Sequence, residues 1–201
     1  MIRDRNIEYA RQRLYIPVGH MSLTGGGVSM HDTVPALVEL GTDKTIAGMA
    51  MTANDTVAHG FEFPSFWDIT KEIGCRVIWT AKDAAIATDA AEWIVLYDQV
   101  DVDEAIIAPA TVLDTIINSA VLNQLQLYGT TTDQVIKRTD RGIINANTFN
   151  IDALDGFFSF SIELQAVTTF GADEVELIGI SFDYYPMLTV GGMNAAEGSR
   201  Q

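Results

Sequence analysis

The eight residues Phe158–Gln165 alternate strictly between apolar and polar side chains. Alternation of this kind indicates a strand that buries one face, because successive side chains of a strand point to opposite sides of its sheet. Val175–Tyr184 alternates in two stretches whose phase slips at Ile178–Gly179, and a glycine at such a slip predicts a β-bulge. Together the two segments predict antiparallel sheet with one buried face.

Other segments with strand composition are separated by turn residues, which gives about eight or nine short strands in all. They are Ala36–Leu40, Thr45–Met51, Val57–Phe63, Arg76–Thr80 and Glu92–Tyr97. Helical and strand periods do not alternate along the chain, which argues against a doubly wound parallel sheet. We therefore expect an all-β protein, an antiparallel β-sandwich of jelly-roll-like type with an extended N-terminal arm.

Residues 111–127 fit two interpretations. Their apolar residues recur at helical spacing, yet the segment is rich in β-branched residues, which favour strands. A pair of strands is slightly favoured over one helix. Leu125–Tyr128 then reads as a strand that ends at Gly129.

The chain divides into an N-terminal arm (residues 1–18), a sandwich domain (19–186) and a small, polar C-terminal tail (187–201) that we expect to be flexible. Residues 1–13 hold four basic and two acidic residues, whereas the remainder holds 8 basic and 25 acidic residues. The arm is either a frayed or surface-docked terminus, or a segment that docks on an acidic neighbour such as a second copy of the chain. In the second case the partner-binding residues are Arg3, Arg5, Arg11, Arg13, Leu14, Tyr15 and Ile16.

The charge balance excludes several classes of partner. With 12 Lys and Arg against 27 Asp and Glu, the formal net charge is −15, which argues against nucleic acid because phosphate recognition requires a basic surface. No apolar run approaches the roughly 20 residues of a membrane span. The charged N-terminus predicts no secretory signal, and a single cysteine excludes a disulfide framework.

The residues that carry chemistry do not form a recognisable catalytic motif. His20, His31 and His59 lack metal-site or triad spacing, and no serine lies in a Gly-x-Ser-x-Gly turn. We therefore expect no enzyme activity, no catalytic residue, no cofactor and no metal. Asp101 and Asp103 would share one strand face, which leaves calcium binding as an alternative to a solvated strand end.

Cys75 opens a predicted strand and is expected to be a buried thiol without a chemical role. Trp67, Trp79 and Trp93 are expected in the core, and a sugar-stacking platform is the alternative.

Residues 57–185 resemble a diffuse class of tailed-phage head proteins with a jelly-roll-like sandwich. The resemblance is a succession of strands rather than a motif, carried by Phe61–Pro64, Val77–Trp79, Trp93–Leu96, Phe158–Gln165 and Val175–Tyr184. It implies a capsid decoration (cement) protein of the virion surface, a homotrimer that binds the major capsid protein. It identifies no individual functional residue.

Two other classes of function compete with this hypothesis. A carbohydrate-binding or host-recognition virion module, in a head fibre or associated with the tail, requires exposed aromatic side chains beside carboxylates or amides. A cupin-like enzyme requires clustered histidines, which the spacing of the three histidines does not offer.

Overall fold

The computed structural model of the chain describes residues 11–23, 37–40, 46–62, 67–68, 70–82, 89–100, 111–112, 126–127, 129, 135–144, 157–168, 170 and 175–186. Their strands are, in chain order, β1 (Gln12–Pro17), β2 (Ser22–Leu23), β3 (Leu37–Leu40), β4 (Ile46–Met51), β5 (Thr56–Glu62), β6 (Ile73–Ala81), β7 (Ala90–Val100), β8 (Thr111–Val112), β9 (Gln126–Leu127), β10 (Lys137–Arg138), β11 (Gly142–Ile144), β12 (Phe157–Thr168) and β13 (Val175–Tyr184). A single 3-10 turn, Val18–His20, follows β1 within these ranges.

The strands form two antiparallel sheets. Sheet A has the order β10-β6-β13-β4-β3, with β1 added to β13 and β11 added to β6. Sheet B has the order β2-β5-β12-β7-β8, with β9 added to β7. The chain crosses between the sheets repeatedly, for example at β4–β5, β5–β6 and β6–β7. The predicted antiparallel sandwich of jelly-roll-like type is therefore confirmed.

Large aromatic side chains from both sheets meet in the core. Trp79 of sheet A and Trp93 of sheet B are fully buried, with their rings 6.1 Å apart. Phe182 of sheet A packs against Phe158 and Phe160 of sheet B, at ring distances of 5.5 and 5.2 Å. Because these contacts join the two layers, they hold the sheets together at two points along the strands.

The predicted bulge lies in β13. Leu177 pairs with Trp79 and Gly179 pairs with Ile78, so Ile178 is one residue more than the partner strand contains. The core contains Leu177 and Ile180, whereas Ile178 packs in a separate cluster with Ile78 on the opposite side of the sheet. Because of the extra residue, Ile180 and Phe182 face the core after the bulge, as Val175 and Leu177 do before it.

The strand predicted for the arm lies in the sandwich of its own chain. β1 pairs with β13 from Gln12↔Tyr184 to Pro17↔Gly179, and Ile16 and Val18 are buried in the core. The boundary at residue 18 thus cuts through sheet A. Removal of residues 1–18 would delete a paired strand and would not leave the sandwich intact.

Several sequence predictions fall outside the described residues. They include Arg3 and Arg5, His31, Asp101 and Asp103, and the whole of the C-terminal tail. Of the ambiguous segment 111–127, only the short strands β8 and β9 are described, one at each end. The prediction for residues 113–125, a helix or two strands, lies outside the described residues.

Sheet A also buries a carboxylate. Glu176 of β13 has no exposed surface, and neither of its oxygens has a hydrogen-bond partner among the described residues. Burial raises the pKa of Glu176, an effect that the charge of Lys82 offsets only in part. Because the folded state favours the protonated carboxyl, the stability that this group contributes is present at low pH and is lost as the pH rises through its folded pKa.

We predict that Glu176→Gln raises the free energy of unfolding at pH 7 by on the order of 1 kcal/mol, since an unpaired buried charge is removed. The gain should shrink as the pH falls toward 5, nearer the ordinary glutamate pKa of about 4.3. Urea unfolding between pH 5 and 8 measures both effects. Glu163→Gln, at a half-buried position in β12, is the matched control and should show a smaller gain. A gain at Glu176 that does not depend on pH would contradict the prediction.

Candidate binding site: an arginine cleft on sheet A

The outer face of sheet A, opposite the core, carries the polar side chains of its central strands. In β1, Leu14 and Ile16 pack toward the core, so the alternating residues Arg13 and Tyr15 face outward. Beyond the bulge in β13, Phe182 faces the core and Asp183 faces outward.

The register of the strands arranges these residues in two neighbouring rows. In the first row Arg13 lies opposite Asp183, which lies opposite Gly74 of β6. In the second row Tyr15 lies opposite Ser181, which lies opposite Arg76. The rows are two residues apart along the strands, which corresponds to about 6.7 Å.

A cavity of about 280 Å³ opens on this face. We call it the arginine cleft, and it is lined by Arg11, Gln12, Arg13, Arg76, Arg141 and Asp183. Four arginines are thus gathered at one place on a chain whose net charge is −15.

Two of the arginines are held by carboxylates. Arg141 donates from Nη1 to Glu72 Oε1 at 2.7 Å and from Nε to Asp183 Oδ2 at 3.0 Å. Arg11 lies 3.5 Å from Glu72 Oε1 and 3.4 Å from Asp183 Oδ2, and its Nε donates to the Tyr185 hydroxyl at 2.7 Å. Glu72 and Asp183 therefore each bridge the same pair of arginines.

Arg141 is the more enclosed of this pair, with 16% of its side chain exposed. Burial opposes its charge, but the hydrogen bonds and charges of Asp183 and Glu72 outweigh that effect and raise the pKa of Arg141. Its guanidinium crosses β6 directly above Gly74, where a Cβ atom would overlap it. An alanine at position 74 would therefore push this guanidinium out of its present position.

Arg13 and Arg76 have no carboxylate partner among the described residues. Arg13 is exposed, and Arg76 is half-buried and donates to the backbone oxygen of Thr139 at 3.1 Å. Four guanidinium groups thus face two carboxylates, Glu72 and Asp183. Among the described residues, the excess positive charge of the cleft therefore resides at Arg13 and Arg76. Guanidinium groups of this kind bind anionic groups through charged hydrogen bonds.

Two tyrosines border the cleft. Tyr15 is 45% exposed and donates from its hydroxyl to the backbone oxygen of Ile178 at 3.3 Å. Partial burial raises the pKa of Tyr15, so it stays a neutral donor. Its ring lies over Gly179, where a Cβ atom would meet it. Tyr185 stacks against Arg11, with the guanidinium carbon 4.9 Å from the ring centre.

The structure brings together part of the predicted partner-binding set. Arg11 and Arg13 line the cleft and Tyr15 borders it, whereas Ile16 is buried in the core and the partly buried Leu14 packs against it. The reason is that a strand directs alternate side chains to opposite faces.

Sequence reasoning did not identify Arg76, Arg141, Glu72 or Asp183 as site residues. The alternation of Gly74, Cys75 and Arg76 around a buried cysteine is the signal that places Arg76 on the outer face. No comparable signal exists for Arg141, because its position depends on the pairing of β11 with β6.

The described residues offer neither a metal site nor a reactive thiol on this face. Within the described ranges, no group of three His, Cys, Asp or Glu side chains is placed to hold a metal ion. Cys75 is fully buried as predicted, and burial, together with the charge of Asp183, raises its pKa well above the ordinary value despite the opposing charge of Arg141. A neutral, buried thiol is not a nucleophile.

The three tryptophans are buried, as the core interpretation predicted, so they do not form a sugar-stacking platform. His20 is exposed and His59 is half-buried beside Phe61. No helix in the described part of the chain is long and apolar enough to span a membrane.

Comparison with known proteins gives no assignment. No protein-family model matches the chain, and no curated protein matches it. Among solved structures, it is similar to the xylan-binding module CBM15, with 8% identity over 89% of this chain and 99% of that module and a TM-score of 0.42. It is also similar to a protein of unknown function from Shewanella oneidensis MR-1, with 11% identity over 87% of this chain and 79% of that one and a TM-score of 0.28. These TM-scores are too low to indicate a shared binding site or a shared ligand.

We predict that Gly74→Ala destabilises the fold by about 1 to 3 kcal/mol, because the added methyl group displaces the Arg141 guanidinium from its two carboxylates. Chemical denaturation measures the loss. Gly60→Ala in β5 is the matched control, since the nearest atom to a Cβ there is the Phe158 carbonyl oxygen at 3.8 Å, and it should change stability by less than about 0.5 kcal/mol. Equal effects at the two glycines would show that the crossing of Arg141 contributes nothing.

Proposed function

We propose that this chain is a non-catalytic virion protein that decorates a tailed-phage capsid, with the arginine cleft as its docking surface for an acidic region of the major capsid protein. The observation that carries the proposal is the excess of positive charge at Arg13 and Arg76 on a strongly acidic chain. A chain with net charge −15 is repelled by most acidic surfaces. The cleft supplies the local attraction that allows it to dock in one orientation.

The cleft is suited to binding rather than to catalysis. Its groups are guanidinium donors, which are always charged, and a carboxylate already engaged by two of them. Guanidinium groups bind carboxylates through paired, directional hydrogen bonds. Docking on a shell protein, self-association as a homotrimer and location at the capsid surface belong to the same proposal and follow the resemblance to phage head proteins.

The test uses empty capsids assembled from a major capsid protein that is encoded in the same genome as this chain. Sedimentation of capsids with the purified protein measures bound copies per particle and the dissociation constant. We expect saturable binding at many copies per capsid. The double variant Arg13→Gln/Arg76→Gln should raise the dissociation constant at least tenfold, since each lost charged hydrogen bond costs about 1.5 to 3 kcal/mol.

Arg138→Gln is the matched control, because Arg138 is an exposed arginine on the same sheet outside the cleft. It should bind within twofold of the unaltered protein. Thermal melting confirms that each variant is folded. The proposal fails if the chain does not sediment with capsids, or if the control weakens binding as much as the double variant does.

A carbohydrate-binding or host-recognition module is the second candidate, favoured by the position of Tyr15. This exposed ring lies in one row with Arg76, and Gln12 and Asp183 line the adjoining cleft. An aromatic face offers an apolar surface on which a sugar ring can stack, and amide and carboxylate groups can form hydrogen bonds with its hydroxyls. Screening on a glycan array tests it, and Tyr15→Ala should abolish any glycan signal if this candidate is correct.

A further inference from the structure

We infer that the arginine cleft takes an extended acidic peptide whose carboxylates occupy alternate positions, i and i+2, rather than a lone anion. The inference rests on the proposed docking function and specifies the chemistry of the docked partner. It follows from three features of the cleft: the position of its available donors, the charge between them and the spacing of its rows.

The available donors lie on opposite sides of β13. Arg13 projects from β1 in the row of Asp183, and Arg76 projects from β6 in the row of Ser181. Their attachment points are separated by two strand spacings, or about 10 Å, and by one row. A ligand with two carboxylates can therefore bind both guanidinium groups, whereas a ligand with one carboxylate occupies only one of them.

Asp183 lies between them and disfavours a single compact anion. Its carboxylate accepts hydrogen bonds from Arg11 and Arg141 and has 15% of its side chain exposed. An anion centred between Arg13 and Arg76 would lie against this negative charge. A ligand with its charges at the two sides and peptide N–H donors between them avoids the repulsion.

Along the strands, the step between the two rows matches that of an extended peptide, and the side chains of Arg13 and Arg76, which both line the cleft, span the distance across the strands. Neighbouring rows are two residues apart along β13, and side chains at i and i+2 of an extended chain share one face at about the same 6.7 Å step. Carboxylates at adjacent positions would point to opposite faces, so only one of them would reach the cleft.

The test is titration of the full chain with two peptides of equal charge, acetyl-Thr-Thr-Asp-Thr-Asp-Thr-Thr-amide and acetyl-Thr-Thr-Asp-Asp-Thr-Thr-Thr-amide, at low salt. Nuclear magnetic resonance of the arginine Nε–H groups reports occupancy. We expect the first peptide to shift both Arg13 and Arg76 and to bind at least fivefold more tightly than the second. Arg13→Gln and Arg76→Gln should each weaken it about tenfold, whereas Arg138→Gln should leave it unchanged.

Inorganic phosphate and polygalacturonate complete the series. Equal affinity for the two peptides, phosphate binding as tight as the first peptide, or the absence of any binding would overturn the inference. Tighter binding of polygalacturonate than of the first peptide would also overturn it, in favour of an acidic glycan. Capsid sedimentation is independent of these titrations. Capsid binding that depends on Arg13 and Arg76 without peptide selectivity would remove only this inference, whereas absent capsid binding would remove the proposed function.

Discussion

The extra residue in β13 is the constraint on which the rest of this structure depends. If β13 kept all its residues but had no bulge, the alternation set by Val175 and Leu177 would continue through the strand. Ile180 and Phe182 would then face solvent, and Asp183 would face the core. That arrangement would cost the aromatic contacts with sheet B and would bury a charge without its arginines. One irregularity of the backbone thus satisfies both faces of the central strand, and it places Asp183 on the outer face with Arg11 and Arg141.

The strands that flank β13 depend on the same irregularity. β4 pairs with β13 before the bulge, and β1 pairs with it afterward along the same edge. Gly179 leaves space for the Tyr15 ring and for the backbone of Ile16 at the point where β1 ends. Gly179 therefore allows the N-terminal strand to approach β13 closely, and the burial of Ile16 and Val18 anchors a segment with a basic, arm-like composition in the sandwich.

Alternation and turn residues were enough to predict the sandwich, the bulge at Ile178–Gly179 and the burial of Cys75 and the tryptophans, because these properties depend on residues close together in sequence. The arginine cleft depends on pairings between segments far apart, such as β1 with β13 and β11 with β6. The local charge of the N-terminal segment was enough to single out Arg11 and Arg13 as candidate residues. Their convergence with Arg76 and Arg141 could not be predicted, since the register of strands across a sheet depends on tertiary structure. Local composition also does not reveal which face of a strand is covered, so it could not show that Leu14 and Ile16 pack toward the core of their own chain.

The bridging of Arg11 and Arg141 by Glu72 and Asp183 joins elements whose backbones are not paired with one another. β1 lies on one side of β13, and β11 lies beyond β6 on the other side. Of the two arginines in this ionic network, Arg11 at the beginning of β1 is the more exposed, with 41% of its side chain accessible. Attraction between accessible charges is screened by mobile ions, whereas backbone pairing is not. The attachment of the first strand is therefore more sensitive to the surrounding electrolyte than the remainder of the sandwich. Its amide hydrogens would exchange with solvent sooner in concentrated salt than in dilute buffer.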